Sequence, residues 1–119
     1  MIIKPPTKIE VKESPIHGLG IFCTEQIHLN EVIEICPFLV FPQTNQEKIP
    51  FFQNYSFCYP KDVNWVNHAL VLGYGSFYNH SETPNADWHT VDNTFVFHSI
   101  KVINPGEEIF INYSNGSVF

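Results

Sequence analysis

Apolar residues in this chain come in short runs, each soon interrupted by proline, glycine or an Asn/Asp turn, and no stretch carries the sustained three-to-four-residue spacing of a long amphipathic helix. That punctuation constrains the fold more than any other feature of the sequence. Lys8 to Glu13 alternates apolar and polar residues like a half-buried strand. Gly20 to Ile27 is a second such run, after a turn at Gly18-Leu19-Gly20. Glu31 to Phe41 is rich in β-branched and aromatic residues, and Pro37 within it predicts an edge position or a bulge. Pro42 to Pro50 reads as a surface loop, and Phe51 to Tyr59 as another strand. Val63 to Leu72 is apolar without a period, which leaves strand and short helix open. Ala86–Val91 and Thr94–Ile100, joined at Asp92-Asn93, predict a hairpin, and Asn104-Pro105-Gly106 turns into a last strand ending at Tyr113. The expected class is mostly β, in a single domain spanning residues 1–119.

Composition narrows the function. With six Lys, no Arg and twelve acidic residues, the formal net charge is −6. A nucleic-acid ligand needs a cationic stripe to displace counterions, so direct nucleic-acid binding is excluded, and a basic protein partner suits the charge better. Cys23, Cys36 and Cys58 are widely spaced, and the six His form no ligand-spaced cluster, so no metal site is expected. No apolar run is long enough to span a bilayer or serve as a signal peptide, which predicts a soluble intracellular protein with no membrane partner.

Three local motifs concentrate glycine and polar side chains. His17 to Phe22 suggests a dinucleotide loop, but the third glycine is missing and no helix-forming segment follows. Alone it reads as a turn needing positive φ, or as backbone stripped bare against a ligand. Gly73-Tyr74-Gly75 carries the same ambiguity. Phe77 to Asn85 places His80 beside Ser81, yet there is no Gly-x-Ser-x-Gly elbow, and alone it reads as a turn in which Asn and His satisfy nearby backbone groups. Glu107-Glu108 reads alone as a solvated corner, and Tyr113 as a core or edge aromatic.

The order and spacing of Ser14–Phe22, Gly73–Ala86 and Asn104–Tyr113 resemble the SET domain of protein-lysine methyltransferases, over roughly Ile9 to Tyr113. The resemblance implies small curved β-sheets with short helical turns and a C-terminal segment passed through a loop as a pseudoknot, bringing Asn79-His80 beside Tyr113. The size is similar to the minimal, stand-alone SET domains of viral and bacterial type, with no pre-SET and no Cys-rich post-SET segment.

It further implies a lysine N-methyltransferase that uses S-adenosyl-L-methionine and acts on a basic protein tail, with histone H3 a candidate. The alternative is a weakly catalytic SET module that binds cofactor or peptide without turnover. Tyr113 matches the catalytic tyrosine. His17, Gly18, Leu19, Gly20, Tyr55, Asn79 and His80 are the implied cofactor contacts, and Tyr74, Phe77, Trp88 and Ile111 are the candidates for the lysine channel. The sequence departs from the family pattern at Glu82, often Cys, at Asn112, commonly Asp, and at Ser114, commonly Gly. Without a Cys-rich cap, the channel would be covered by Phe119 and the Pro42–Pro50 loop, or by the second subunit of a homodimer.

Overall fold

The computed structural model describes residues 2–42, 56–59 and 67–113, in which nine strands form two sheets. The first sheet begins with the hairpin of β1 (Ile9–Glu13) and β2 (Leu19–Cys23), paired from Ile9↔Cys23 to Glu13↔Leu19. Gly18 takes φ 48° at the turn, a conformation that side-chain-bearing residues rarely adopt. Leu19 and Gly20, expected in the turn, already belong to the ladder. The strand also stops earlier than expected, because the chain folds back after Cys23, whose Sγ donates to the Glu25 carbonyl. Ile27 keeps only an isolated bridge to Ile103.

The second sheet has the order β4-β5-β3-β8-β7, built from β4 (Ser56–Tyr59), β5 (Asn67–Val71), β3 (Val32–Pro42), β8 (Thr94–Ser99) and β7 (Ala86–Val91). Strand β3 is its spine: Val32 to Pro37 pairs with β8, and Phe38 to Pro42 pairs with β5. Pro37 sits at the changeover. Its carbonyl accepts from Leu72 N–H at 2.9 Å, so its nitrogen, which has no proton, points to the same edge, away from β8. Neither expectation drawn from Pro37 holds: β3 is the central strand of its sheet, and the register shift in it falls between Val32 and Glu34. The open question over Val63–Leu72 resolves as strand for Asn67–Val71, because partners β4 and β3 bind it on both edges. The Asp92-Asn93 hairpin forms as expected, with Asp92 at φ 53°. The predicted loop at 43–50 and the run 51–55 lie outside the described residues.

Register partners share a face, so Glu34 and Cys36 on β3 lie on the same side as Phe97 and Phe95 on β8 and Trp88 and Thr90 on β7. This face is the core. Trp88 stacks on Phe95 (centroids 4.8 Å, 16°), and Phe57 from β4 meets both rings edge-on. Ile21, Ile109 and Ile111 close the core from the other sheet, together with Ile27 and Ile103 of the isolated bridge. Cys23 and Cys36 are buried free thiols, and burial raises the pKa of both. Among the described residues no helix is long and apolar enough to cross a membrane.

Trp88 is completely buried. Trp88→Ala should therefore lower stability by about 3–5 kcal/mol, measured by urea denaturation, as other aromatic-to-alanine changes in packed cores do. A loss under about 1 kcal/mol would show that the aromatic cluster is loosely packed.

Candidate functional site

The site is organised around β9 (Glu108–Ile111), which is gripped on both edges by one short segment. Along one edge β9 pairs antiparallel with β2 (Ile21↔Ile109) and then parallel with the two-residue β6 (Asn79–His80; His80↔Ile111). Cys23 N–H donates to Glu107 O and Ser81 N–H to Ile111 O on this edge. Groups one residue out of phase, Glu108 C=O and Phe110 N–H, face the opposite edge. There the Asn85 side chain takes both: Nδ2 donates to Glu108 O (2.9 Å), and Oδ1 accepts from Phe110 N–H (2.8 Å). Between Ser81 and Asn85 the chain therefore crosses over β9. This crossing is the knot that brings distant residues together.

On the first edge, β2 and β6 meet end to end through Asn79. Its Nδ2 donates to the carbonyls of His17 (3.1 Å) and Leu19 (3.3 Å) and to Glu108 Oε2 (2.8 Å). The other Glu108 oxygen accepts from Ser14 Oγ at 2.8 Å. Glu108 is thus a buried hub, not the solvated corner that its place after a Pro-Gly turn suggested. Gly20 makes room for it: a Cβ there would lie 2.3 Å from Glu108 Oε2 and 3.0 Å from Asn79 Nδ2. At Gly18, by contrast, a Cβ would meet nothing within 4 Å, so this backbone borders open space.

Tyr113 follows β9 directly. Its hydroxyl donates to the Tyr78 carbonyl (2.8 Å), and its backbone N–H donates to His80 Nδ1 (3.2 Å). Because Nδ1 must accept, His80 takes the Nε2–H tautomer, and that proton points to Glu82 Oε1 at 3.2 Å. The Tyr113 ring stacks on Phe57 (4.7 Å, 20°), which joins it to the Trp88–Phe95 cluster.

A second buried carboxylate lies behind the site. Glu34 Oε1 accepts from the Tyr78 hydroxyl (2.8 Å) and Oε2 from the Tyr74 N–H (2.9 Å). Loss of water around Glu34 raises its pKa, against the opposing effect of those two bonds. Burial and the neighbouring Glu34 charge raise the Tyr78 phenol well above its usual range.

Of the residues singled out from sequence, the fold brings together His17, Leu19, Gly20, Asn79, His80 and Tyr113, with Gly18 at the turn beside them. Tyr55 lies outside the described residues, as does Phe119. Tyr74, just before a short 3₁₀ turn (Gly75–Phe77), and Phe77, its last residue, are exposed. Trp88 and Ile111 are fully enclosed in the core, Trp88 one ring removed from Tyr113 through Phe57. Sequence reasoning missed Phe57, Tyr78, Asn85, Glu34 and Glu108. Glu108, Tyr78 and Asn85 carried a signal, their positions in Asn104–Tyr113 and Gly73–Ala86; Phe57 and Glu34 act through contacts between segments far apart in the chain.

For a cofactor, the bare backbone at His17–Leu19, the Asn79 amide and the part-exposed His80 ring form a polar border beside Tyr113. Among the described residues no group of three or more His, Cys, Asp or Glu is placed to hold a metal. The chain matches the SET domain family over residues 18–114. A Schizosaccharomyces pombe protein named as a histone-lysine N-methyltransferase specific for H3 lysine-37 is 27% identical over 119 residues, covering 96% of this chain and 77% of its own length. A crystal structure of a candidate histone methyltransferase from Plasmodium falciparum superposes with a TM-score of 0.71 at 33% identity, covering 93% of this chain and 95% of the other.

Two substitutions test this geometry. Gly20→Ala forces a methyl group against the Glu108 carboxylate and should cost about 1–3 kcal/mol in urea unfolding; an unchanged midpoint would show that Glu108 is free to move. Glu34 tests the electrostatics. Because its pKa is raised in the fold, the folded chain holds this proton more tightly than the unfolded chain. The stabilisation is complete below the ordinary carboxyl value of about 4.3 and is lost as pH rises through the raised one. The stability of the parent relative to Glu34→Gln should therefore fall across a pH range that begins near about 4 and runs upward. A constant difference across that range would contradict it.

Proposed function

Because the chain belongs to the SET-domain family and is similar to a protein named as a histone-lysine N-methyltransferase, we propose that it transfers a methyl group from S-adenosylmethionine to a lysine amine on a basic protein tail, with histone H3 the first candidate. The observation that carries this reading is the placement of Tyr113 beside Asn79-His80: its hydroxyl is fixed on the Tyr78 carbonyl and its backbone is bonded to the His80 ring. The net charge of −6 suits a lysine-rich partner. The histone H3 specificity in the name of the fission-yeast relative supplies the candidate tail.

When bound, S-adenosylmethionine supplies a methyl group on a cationic sulfur. His17 to Leu19, Asn79 and His80 would hold it, mainly through backbone groups and the Asn79 amide. The lysine must attack as a free amine, although its ordinary pKa is about 10.4. Loss of water as the amine enters the site beside Tyr113 favours the uncharged form. The Tyr113 proton is committed to the Tyr78 carbonyl, so toward an incoming amine the Tyr113 oxygen acts as an acceptor and orients its lone pair. Alignment of this kind is worth up to about 7–11 kcal/mol in well-oriented intramolecular reactions.

The direct test is incubation with isotopically labelled S-adenosylmethionine and a histone panel, followed by mass spectrometry of lysine side chains. Labelled methyl on an H3 lysine is expected, and its absence from every basic substrate would refute the reading. Tyr113→Phe keeps the ring and its stacking but removes the hydroxyl, so kcat should fall about 10²–10³-fold with cofactor Kd nearly unchanged. Turnover at the parent rate would show that Tyr113 is only a packing aromatic.

A further inference from the structure

We infer that Glu34 is a positioning residue for the methyl-transfer site, holding the Tyr78 carbonyl where the Tyr113 hydroxyl must find it. The inference rests on the function proposed above and extends it to a residue that touches neither reactant.

The segment from Tyr74 to Tyr78 leads directly into Asn79-His80, and one carboxylate grips it at both ends. Glu34 Oε2 accepts the Tyr74 backbone N–H, at the start of the 3₁₀ turn, and Oε1 accepts the Tyr78 hydroxyl at its end. Tyr78 is 1% exposed and stacks on Phe97 at 4.5 Å and 26°. Stacking fixes the plane of a ring but lets it slide within that plane, and the bond to Glu34 removes that freedom. The same residue's carbonyl receives the Tyr113 proton. Position thus passes from β3 through the Tyr78 ring to the Tyr78 carbonyl and on to Tyr113.

Two glycines show how closely the segment is seated. Gly73 has φ 69°, and a Cβ there would lie 2.9 Å from Glu34 Oε2, so the backbone passes directly over the carboxylate. A Cβ at Gly75 would lie 2.2 Å from Val71 Cγ1. At both positions the backbone lies too close to its neighbours for any side chain to fit. A carboxylate suits the place because both donors need an acceptor. Glutamine can still accept from Tyr74 N–H and can reverse the second bond by donating to the Tyr78 oxygen.

The test compares Glu34→Ala, Tyr78→Phe, the double variant and Glu34→Gln with the parent and Tyr113→Phe, measuring kcat, peptide KM and cofactor Kd below the melting temperature of each. Tyr78→Phe and Glu34→Ala should each lower kcat about tenfold to hundredfold with KM and Kd little changed, since a small displacement of a reacting group costs that much. The double variant should be no slower than the worse single one, because both break the same link, and Glu34→Gln should recover most of the rate. Parent kcat in Tyr78→Phe, or losses that multiply in the double variant, would overturn the assignment. That result beside an inactive Tyr113→Phe would leave the proposed function standing. A parent protein that methylates nothing would remove both.

Discussion

The side chain of Asn85 does what a tenth strand would otherwise do. Its amide meets the Glu108 carbonyl and the Phe110 N–H, the backbone groups that β9 turns away from β2 and β6. A buried backbone donor or acceptor left unmet costs about 1–3 kcal/mol, so β9 could not lie in the interior with that edge bare. Because Asn85 is only a few residues past β6, meeting the need from this side obliges the chain to pass over β9. The knot is thus a consequence of satisfying both edges of one strand with one short segment. Everything in the site follows from where that strand is held: Asn79 reaches the start of β2, and Tyr113 emerges next to His80.

Two enclosed carboxylates divide the remaining work. Glu108 ties Ser14 to Asn79, and Glu34 ties Tyr74 to Tyr78, each accepting on both of its oxygens. Each is matched by a glycine whose missing side chain leaves space for an oxygen, Gly20 over Glu108 and Gly73 over Glu34. The two glycine-rich motifs that read alone as turns or as bare backbone against a ligand are, at these positions, clearances over buried acids. Gly18 is different, since its backbone faces open space.

Much of the strand plan was legible because alternation and turn chemistry are local. Lys8–Glu13, the Asp92-Asn93 hairpin and the final strand needed only neighbouring residues. What local reasoning missed was decided across the chain. Two residues cannot show periodicity, so β6 had no signature, and its parallel partner lies at Phe110 and Ile111. Phe57 looked like any strand aromatic until stacking placed it on Tyr113. Glu34, in an apolar run, drew no reading of its own, although its face is the core. The ordered motifs, by contrast, carried the family and Asn79, His80 and Tyr113 together, because their spacing encodes the crossing that no single segment shows.

The most direct test of this account is amide hydrogen exchange followed by NMR in Asn85→Ala. The substitution removes both side-chain bonds to one edge of β9 but leaves the β6–β9 pairing on the other edge chemically intact. If the clasp holds the site together, the Ser81 amide, bonded to Ile111 O, should lose its protection together with that of Phe110, while amides in the β7–β8 hairpin exchange as before. Ser81 protection equal to that of the parent would mean that β6 pairs with β9 without the clasp, and the central claim would be wrong.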